Sequence, residues 1–559
     1  MALRSDRWFR RDDEVGVEHR AAMHAAGRPI AGDGERPVIA LLNSTSDLNP
    51  CNAPLSGLVE HVKQGVLDAG GIPVELATMS LGEDLMKPTA MLYRNLMAME
   101  VEETLRANPI DGVVLLGNCD KTIPAQLMGA ASADLPTAQL GGGYRLPGRF
   151  RGREVGAGTD LWTFWDERRA GRLGDTEWRE LERALGCSPG ACNVMGTALT
   201  MAMLAEVLGV MVPGAATLAV GSPRQAELAR ETGRRIVRQT LAGETLSTLL
   251  TREAFLRALR ALAAIGGSTN AILHLTAIAG RRMIELTPDD LAAAARAVPV
   301  LADVRPIGRH TMSAFDAAGG IQAILSTMDS GVVPPPAAKV PAVVRAPGSP
   351  VTELPAFAVV RGNIAPAGAV VKAAATSGRL LRHTGRAVVF RGYGDLLARI
   401  DDPELEVTTD SVLVLTGCGP RGGDGFPEWG MLPIPRKLAQ RGVTDMVRIS
   451  DARMSGTSFG TCVLHIAPEA AILGPLAAVR DGDLITLDAL AGRLEADLTE
   501  DEITARLAHL QPSPERHRRG WPALYQRHVL QADRGADFDF LVPQDEAELA
   551  FIDPVVGRS

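Results

Sequence analysis

The chain has 559 residues, 46% hydrophobic and 22% charged, and its 58 basic and 66 acidic side chains leave a net charge of −8. That length exceeds what one hydrophobic core sustains and predicts two large domains. The mild acidity, with no Lys/Arg cluster interleaved with aromatics, excludes a nucleic-acid binder, which needs a basic face; "GRRIVRQ" (233–239) reads as a solvated helix face.

In chain order, "MALRSDRWFRRDDEV" contains no apolar core of signal-peptide length. From residue 37 the pattern alternates. "PVIALLN" reads as a strand, and Leu55, Leu58, Val59, Val62 and Val66 mark a helix face at spacings of three and four. "IPVELATM" is a second strand and "TAMLYRNLMAMEVEETLRA" a second helix. "GVVLLGN" is a third strand, a third helix runs from Pro124, and "LPTAQLGGG" is a fourth strand. Strand–helix alternation predicts an α/β domain with a parallel sheet covered on both faces.

Residues 145–185 form a polar, Trp-containing excursion, expected as a lid or a dimer contact, and "CSPGACNVMGTALTMAMLAEVLG" puts Cys192 at the start of an apolar helix. The most apolar stretch (197–221) is broken by Glu206 and Pro213, so it reads as a buried helix and turn rather than a membrane span, and a cytoplasmic location is expected. "AIGGSTNAILHL" (264–275) is another Gly-rich turn opening an apolar segment. Pro becomes frequent in "VVPPPAAKVPAVVRAPGSP" (332–350), which sets the expected boundary: residues 1–350 as the α/β domain and 351–559 as a β-rich, barrel-like one. Strand-like "AVVFRG", "SVLVLTG", "DMVRIS" and "DLITLD" follow, together with two chemically loaded turns at 417–433 and 450–461.

Ligands of open parallel sheets bind outside the carboxyl ends of the strands. The loops after the first three strands carry Cys51, Glu83, Asp84, Cys119, Asp120 and Lys121, which this topology gathers along one edge. Of the six cysteines, Cys51, Cys119 and Cys192 lie in polar or Gly-rich turns, and none of the six forms a CxxC pair. Three thiolates with one open position suit a catalytic soft-metal centre. Glu83, Asp84, Asp120 and Glu428 are hard oxygen donors suited to magnesium or manganese. Each has a bland reading alone: a buried thiol, a helix cap, a surface lysine, a turn serine at Ser455. Together they point to a metalloenzyme with two kinds of centre in one pocket.

"SDLNPCN", "GNCDKTIPA", "CNVMGTA" and "RISDARMSGTSFGT" resemble the dihydroxy-acid dehydratase and phosphogluconate dehydratase family, with the likeness running from about residue 37 to about 541. "KPTAMLYRN", "WDERRAG", "VLHIAPEAA" and "ADFDFL" are similar to its sugar-acid branch. The resemblance implies a hydro-lyase that converts a 2,3-dihydroxy acid, such as a pentonate or hexonate, to the 2-keto-3-deoxy acid. It implies Cys51, Cys119 and Cys192 as ligands of an iron–sulfur cluster, typically 2Fe–2S in this branch and 4Fe–4S in other members, a choice that spacing does not decide. It implies Glu83, Asp120, Glu428 and a carbamylated Lys121 as ligands of Mg2+, Ser455 as the base acting as an alkoxide, and Thr457 as its neighbouring hydroxyl. A homodimer or homotetramer is implied as well. Pro54, Ser56, Leu199 and the extra Cys187 depart from the pattern and weigh against the substrate assignment. The alternatives are 2,3-dihydroxyisovalerate as substrate and a non-catalytic iron–sulfur sensor; a zinc hydrolase lacks an HExxH helix.

Overall fold

The computed structural model describes residues 3–28, 30, 36–335, 341–429, 431–550 and 552–557. The four expected strands form one parallel sheet, β1 (Val38–Asn43), β2 (Ile72–Ala77), β3 (Gly112–Leu116) and β4 (Thr137–Leu140), in the order β2-β1-β3-β4. The strands are apolar runs because both faces are covered. Ala40, Leu42, Val113 and Leu115 face one core with helices Arg94–Ala107 and Thr122–Ala133. Their neighbours Ile39, Leu41, Val114 and Leu116 face the opposite core with helices Leu55–Asp68 and Pro223–Ala242. The chain steps from β1 to β2 on one side and then to β3 on the other, so the crevice between the ends of β1 and β3 is a topological switch point.

Beyond the Pro-rich segment, whose residues 336–340 lie outside the described ones, eight strands close a mixed barrel. Around it run Val412–Thr416, Arg448–Ser450, Cys462–Ala467, Ala365–Val371, Ala358–Gly362, Arg493–Ala496, Leu484–Asp488 and Arg382–Arg391. Period-two patterning decides the interior: Val412 and Val414 point into the barrel, whereas Leu413 and Leu415 pack outward with Phe390 and Leu438. The four strands expected from sequence here are all present.

The end of the chain returns to the parallel-sheet region. Asp537 pairs with Arg281 at 2.6 Å with both side chains fully buried, Arg94 donates to Ala536 O at 2.8 Å, and the Trp521 indole donates to Leu92 O at 2.7 Å. No helix among the described residues is long and apolar enough to cross a membrane.

Helices Leu55–Asp68 and Pro223–Ala242 cross at paired glycines. A Cβ on Gly65 would lie 1.9 Å from Arg230 O, and one on Gly233 would lie 2.3 Å from Val62 O. Both contacts are with backbone and cannot swing aside. Gly65→Ala therefore forces the helices apart and is expected to cost about 1–3 kcal/mol, read as a lower melting temperature. Gly57→Ala, in the same helix with nothing within 4 Å, serves as the control and should be neutral or stabilise by up to about 1 kcal/mol.

Candidate active site

The switch point is cross-tied by two asparagines. Asn118 donates to Cys51 O at 2.8 Å, and its backbone N–H donates to Asn52 Oδ1 at 3.0 Å. Asn52 donates in turn to Ser44 O, Ser80 Oγ and Thr122 Oγ1 at 3.0–3.2 Å. The loops after β1, β2 and β3 are thus held as one rigid rim. A cavity of about 280 Å³ opens over it, lined by Cys51, Cys119, Cys192, Glu83, Asp120 and Glu428, with Ser455 and Thr457 on the barrel side. The sequence-predicted site residues are therefore brought together, with Lys121 fully buried directly beneath.

Glu83, Asp120 and Glu428 present carboxylate oxygens within 4.8 Å of one another. Lys121 Nζ sits among them, 2.5 Å from Asp120, 3.0 Å from Glu428 and 3.3 Å from Glu83. Burial works against the Lys121 charge, but Asp120, Glu428 and Glu83 outweigh it and hold the ammonium above the ordinary lysine range. Burial would raise Glu428 too, yet Lys121 and Arg453, the latter at 2.8 Å, hold its carboxyl below the usual range. Glu83 has less cationic help, so burial wins and its carboxyl is raised. Its Oε1 accepts from Thr89 at 2.7 Å, while its buried Oε2 makes no hydrogen bond. Asn270 and Arg453 both donate to Glu428 at 2.8 Å, fixing the barrel's contribution. Asp120 is not a helix cap: the following helix starts at Thr122 with no side-chain cap. A compact set of hard oxygen donors, one of whose oxygens has no hydrogen bond and only the ion pair with Lys121 at 3.3 Å, fits a divalent cation.

The thiols differ from expectation in one respect. The helix after Cys192 begins at Thr197, so the thiol lies in the preceding loop rather than in the helix's first turn. Burial pushes Cys192 up to about 12, against the pull of Arg145. Contact with Cys51, followed by burial, raises Cys119 well above an ordinary thiol. Three thiols lining one cavity fit a soft centre. Arg145 is half-buried beside Cys192 and Cys51 and lies 3.6 Å from Asp84. Cys187 is exposed on the surface, and Cys418 and Cys462 are buried away from the cavity lining.

Ser455 Oγ lies 2.9 Å from Thr457 Oγ1, and the Thr457 backbone N–H reaches it at 3.3 Å. Lys372, whose ammonium burial brings down to about 7, donates to Gly456 O at 3.1 Å from behind the loop. The residues set against the substrate assignment do not border the cavity among the described residues. Pro54 only opens a helix, Ser56 is exposed and bonds Ala53 O, and Leu199 is buried in the core. Sequence reasoning missed Thr89, Arg145, Trp162, Asn270, Lys372 and Arg453. Asn270 and Arg453 were within reach, since both stand in turns already singled out, "GGSTN" and "SDARMSG".

Comparison with known proteins gives two family matches, dihydroxy-acid/6-phosphogluconate dehydratase N-terminal over residues 36–340 and its C-terminal counterpart over 342–536. The chain is 46% identical to an L-arabonate dehydratase of Azospirillum brasilense, covering 98% of each. It is 45% identical to a 6-deoxy-6-sulfo-D-gluconate dehydratase of Pseudomonas putida over 96% of each. It is 36% identical to a dihydroxy-acid dehydratase of Methanothermobacter thermautotrophicus, covering 93% of this chain and 97% of that protein.

Removing Lys121 strips Asp120 and Glu83 of their close cation and leaves Glu428 with Arg453 alone. In metal-free protein, Lys121→Met is expected to cost about 3–5 kcal/mol, read as a lower melting temperature. The deficit should shrink as the pH is lowered, because Glu83, whose carboxyl burial already raises, takes up a proton and sheds its uncompensated charge.

Proposed function

The chain belongs to the dihydroxy-acid/6-phosphogluconate dehydratase family, and from that premise we propose that its cavity removes water from a 2,3-dihydroxy sugar acid to leave the 2-keto-3-deoxy acid. The protein is a dehydratase, a hydro-lyase. One observation carries the reading: thiols, clustered carboxylates and a hydroxyl pair line a single cavity. The remaining wall includes Asp84 and Lys87, which offer hydrogen bonds to a polyhydroxylated tail and little to a branched aliphatic one. The relatives at 45–46% identity bear sugar-acid names, and the branched-acid relative stands at 36%.

On this reading Cys51, Cys119 and Cys192 hold the iron–sulfur cluster, read as 2Fe–2S, and Glu83, Asp120 and Glu428 hold magnesium. Lys121, once its Nζ has given up its proton and added CO2 with release of a second proton, would join the magnesium site as a carbamate, which replaces a cation among carboxylates by a further oxygen donor. When bound, the two centres supply Lewis acidity at the leaving hydroxyl and at the carboxylate end of the substrate. Ser455 Oγ, as its alkoxide, takes the C2 proton and returns it to the departing C3 oxygen, which leaves as water as the C3–O bond breaks; the enol then releases its hydroxyl proton to solvent while C3 gains one, giving the 2-keto-3-deoxy acid. A serine is too weak a base unless its alkoxide is stabilised, and the Thr457 backbone N–H at 3.3 Å is placed to do so. Arg453, Asn270 and Thr89 keep Glu428 and Glu83 aimed at their common centre. The homodimer or homotetramer and the cytoplasmic location expected from sequence belong to the same proposal.

Anaerobically reconstituted protein with magnesium, offered C4–C6 aldonates beside 2,3-dihydroxyisovalerate, is expected to release a 2-keto acid from an aldonate preferentially. Preference for the branched acid would overturn the substrate class. Ser455→Ala should lower kcat by about 10²–10⁴ with iron content intact. Serine substitutions at Cys51, Cys119 or Cys192 should each abolish stable iron and labile sulfide, whereas Cys187→Ser, Cys418→Ser and Cys462→Ser retain both.

A further inference from the structure

The excursion at 145–185 is neither a free lid nor remote from the chemistry. Its helix Thr159–Arg169 is clamped onto the Ser455–Thr457 turn at three points. Trp162 Nε1 donates to Thr457 Oγ1 at 3.2 Å, and Thr159 Oγ1 donates to Thr457 O at 2.8 Å. Gly158, at φ +89°, approaches so closely that a Cβ there would lie 2.3 Å from Thr457 Oγ1. The helix is tied to the rest of the molecule on both sides. Asp160 pairs with Arg305 at 2.6 Å, and Arg169 with Asp401, beside the barrel, at 2.5 Å. Trp162 is therefore held rigidly against the threonine.

An indole N–H can only donate, so Thr457 Oγ1 accepts from it. Among the described residues, the other recorded partner of Thr457 Oγ1 is Ser455 Oγ at 2.9 Å. We infer that Trp162 is a positioning residue for the reaction: by occupying one lone pair of Thr457 Oγ1 it turns the threonine's proton onto Ser455 Oγ and makes it a stronger donor there. Ser455 Oγ then receives two hydrogen bonds from Thr457, one from its hydroxyl and one from its backbone N–H. Its own proton is left to face the cavity. Such preorganised donors stabilise the alkoxide more than the neutral hydroxyl, and chained hydrogen bonds reinforce one another. The inference rests on Ser455 acting as the base.

The test replaces Trp162 by Phe and, separately, by β-(3-benzothienyl)alanine, which keeps the bicyclic shape and removes the N–H. Each reconstituted protein is assayed for kcat, KM and the pH profile with the aldonate that the wild-type protein turns over, and for iron content. The charged groups around the turn, Glu83, Asp84, Lys87, Asp120 and Glu428 in the cavity and Lys372 behind, are unchanged in these variants. The expected result is a fall in kcat of about tenfold with KM and iron little changed. The limb on which activity rises with pH should move upward by about one unit, because a base that loses a donor is protonated to higher pH. Trp162→Phe added to Thr457→Val should cost nothing further, since the relay is already broken. An unmoved limb in the benzothienyl variant, or additive effects in the double variant, would overturn the inference while an inactive Ser455→Ala left the base assignment standing. Full activity of Ser455→Ala would overturn both.

Discussion

The site depends on bringing three carboxylates from distant parts of the chain within 4.8 Å of one another under burial. Like charges so placed repel strongly in a low-dielectric surrounding, and in this structure cations buried with them offset that repulsion. Lys121 and Arg453 serve that purpose, each fully buried and each bonded to Glu428. Because Glu83 and Asp120 stand on sheet loops and Glu428 on a barrel-side segment, the same charge cluster joins the two parts of the molecule. The interface and the chemistry thus share one set of interactions.

The topology explains why the thiols and carboxylates meet where they do. Reversal of strand order between β1 and β3 opens a crevice at their carboxyl ends, and the loops there cannot cover it with regular structure. Asn52 and Asn118 satisfy the exposed backbone groups of those loops and so convert irregular chain into a fixed rim. Fixed geometry is what a metal-ligand set requires, since a ligand on a mobile loop would lose part of its binding energy in ordering. The barrel closes the cavity from the other side, and its Ser455 turn is gripped both by Lys372 from within and by the 159–169 helix from without.

Much of this was legible in the sequence, for definite reasons. The period-two and period-three-to-four apolar spacings that mark strands and helices follow from backbone geometry, so the parallel sheet, its order of loops and the β-rich second half could be read directly. Thiols and carboxylates placed at successive strand ends announced a metal-type site, and the motifs around Cys51, Cys119, Cys192 and Ser455 carried the family resemblance. The amino-acid sequence by itself therefore determined the fold class and the edge of the sheet along which the thiols and carboxylates gather. Only the tertiary structure decided which charges compensate which. Arg453 against Glu428, Arg145 against the thiols and Trp162 against Thr457 are contacts between segments separated by up to 295 positions, and no local pattern encodes them. It also decided that Leu199 packs in the core and that Cys192 precedes its helix, because side-chain direction and helix start depend on what packs alongside.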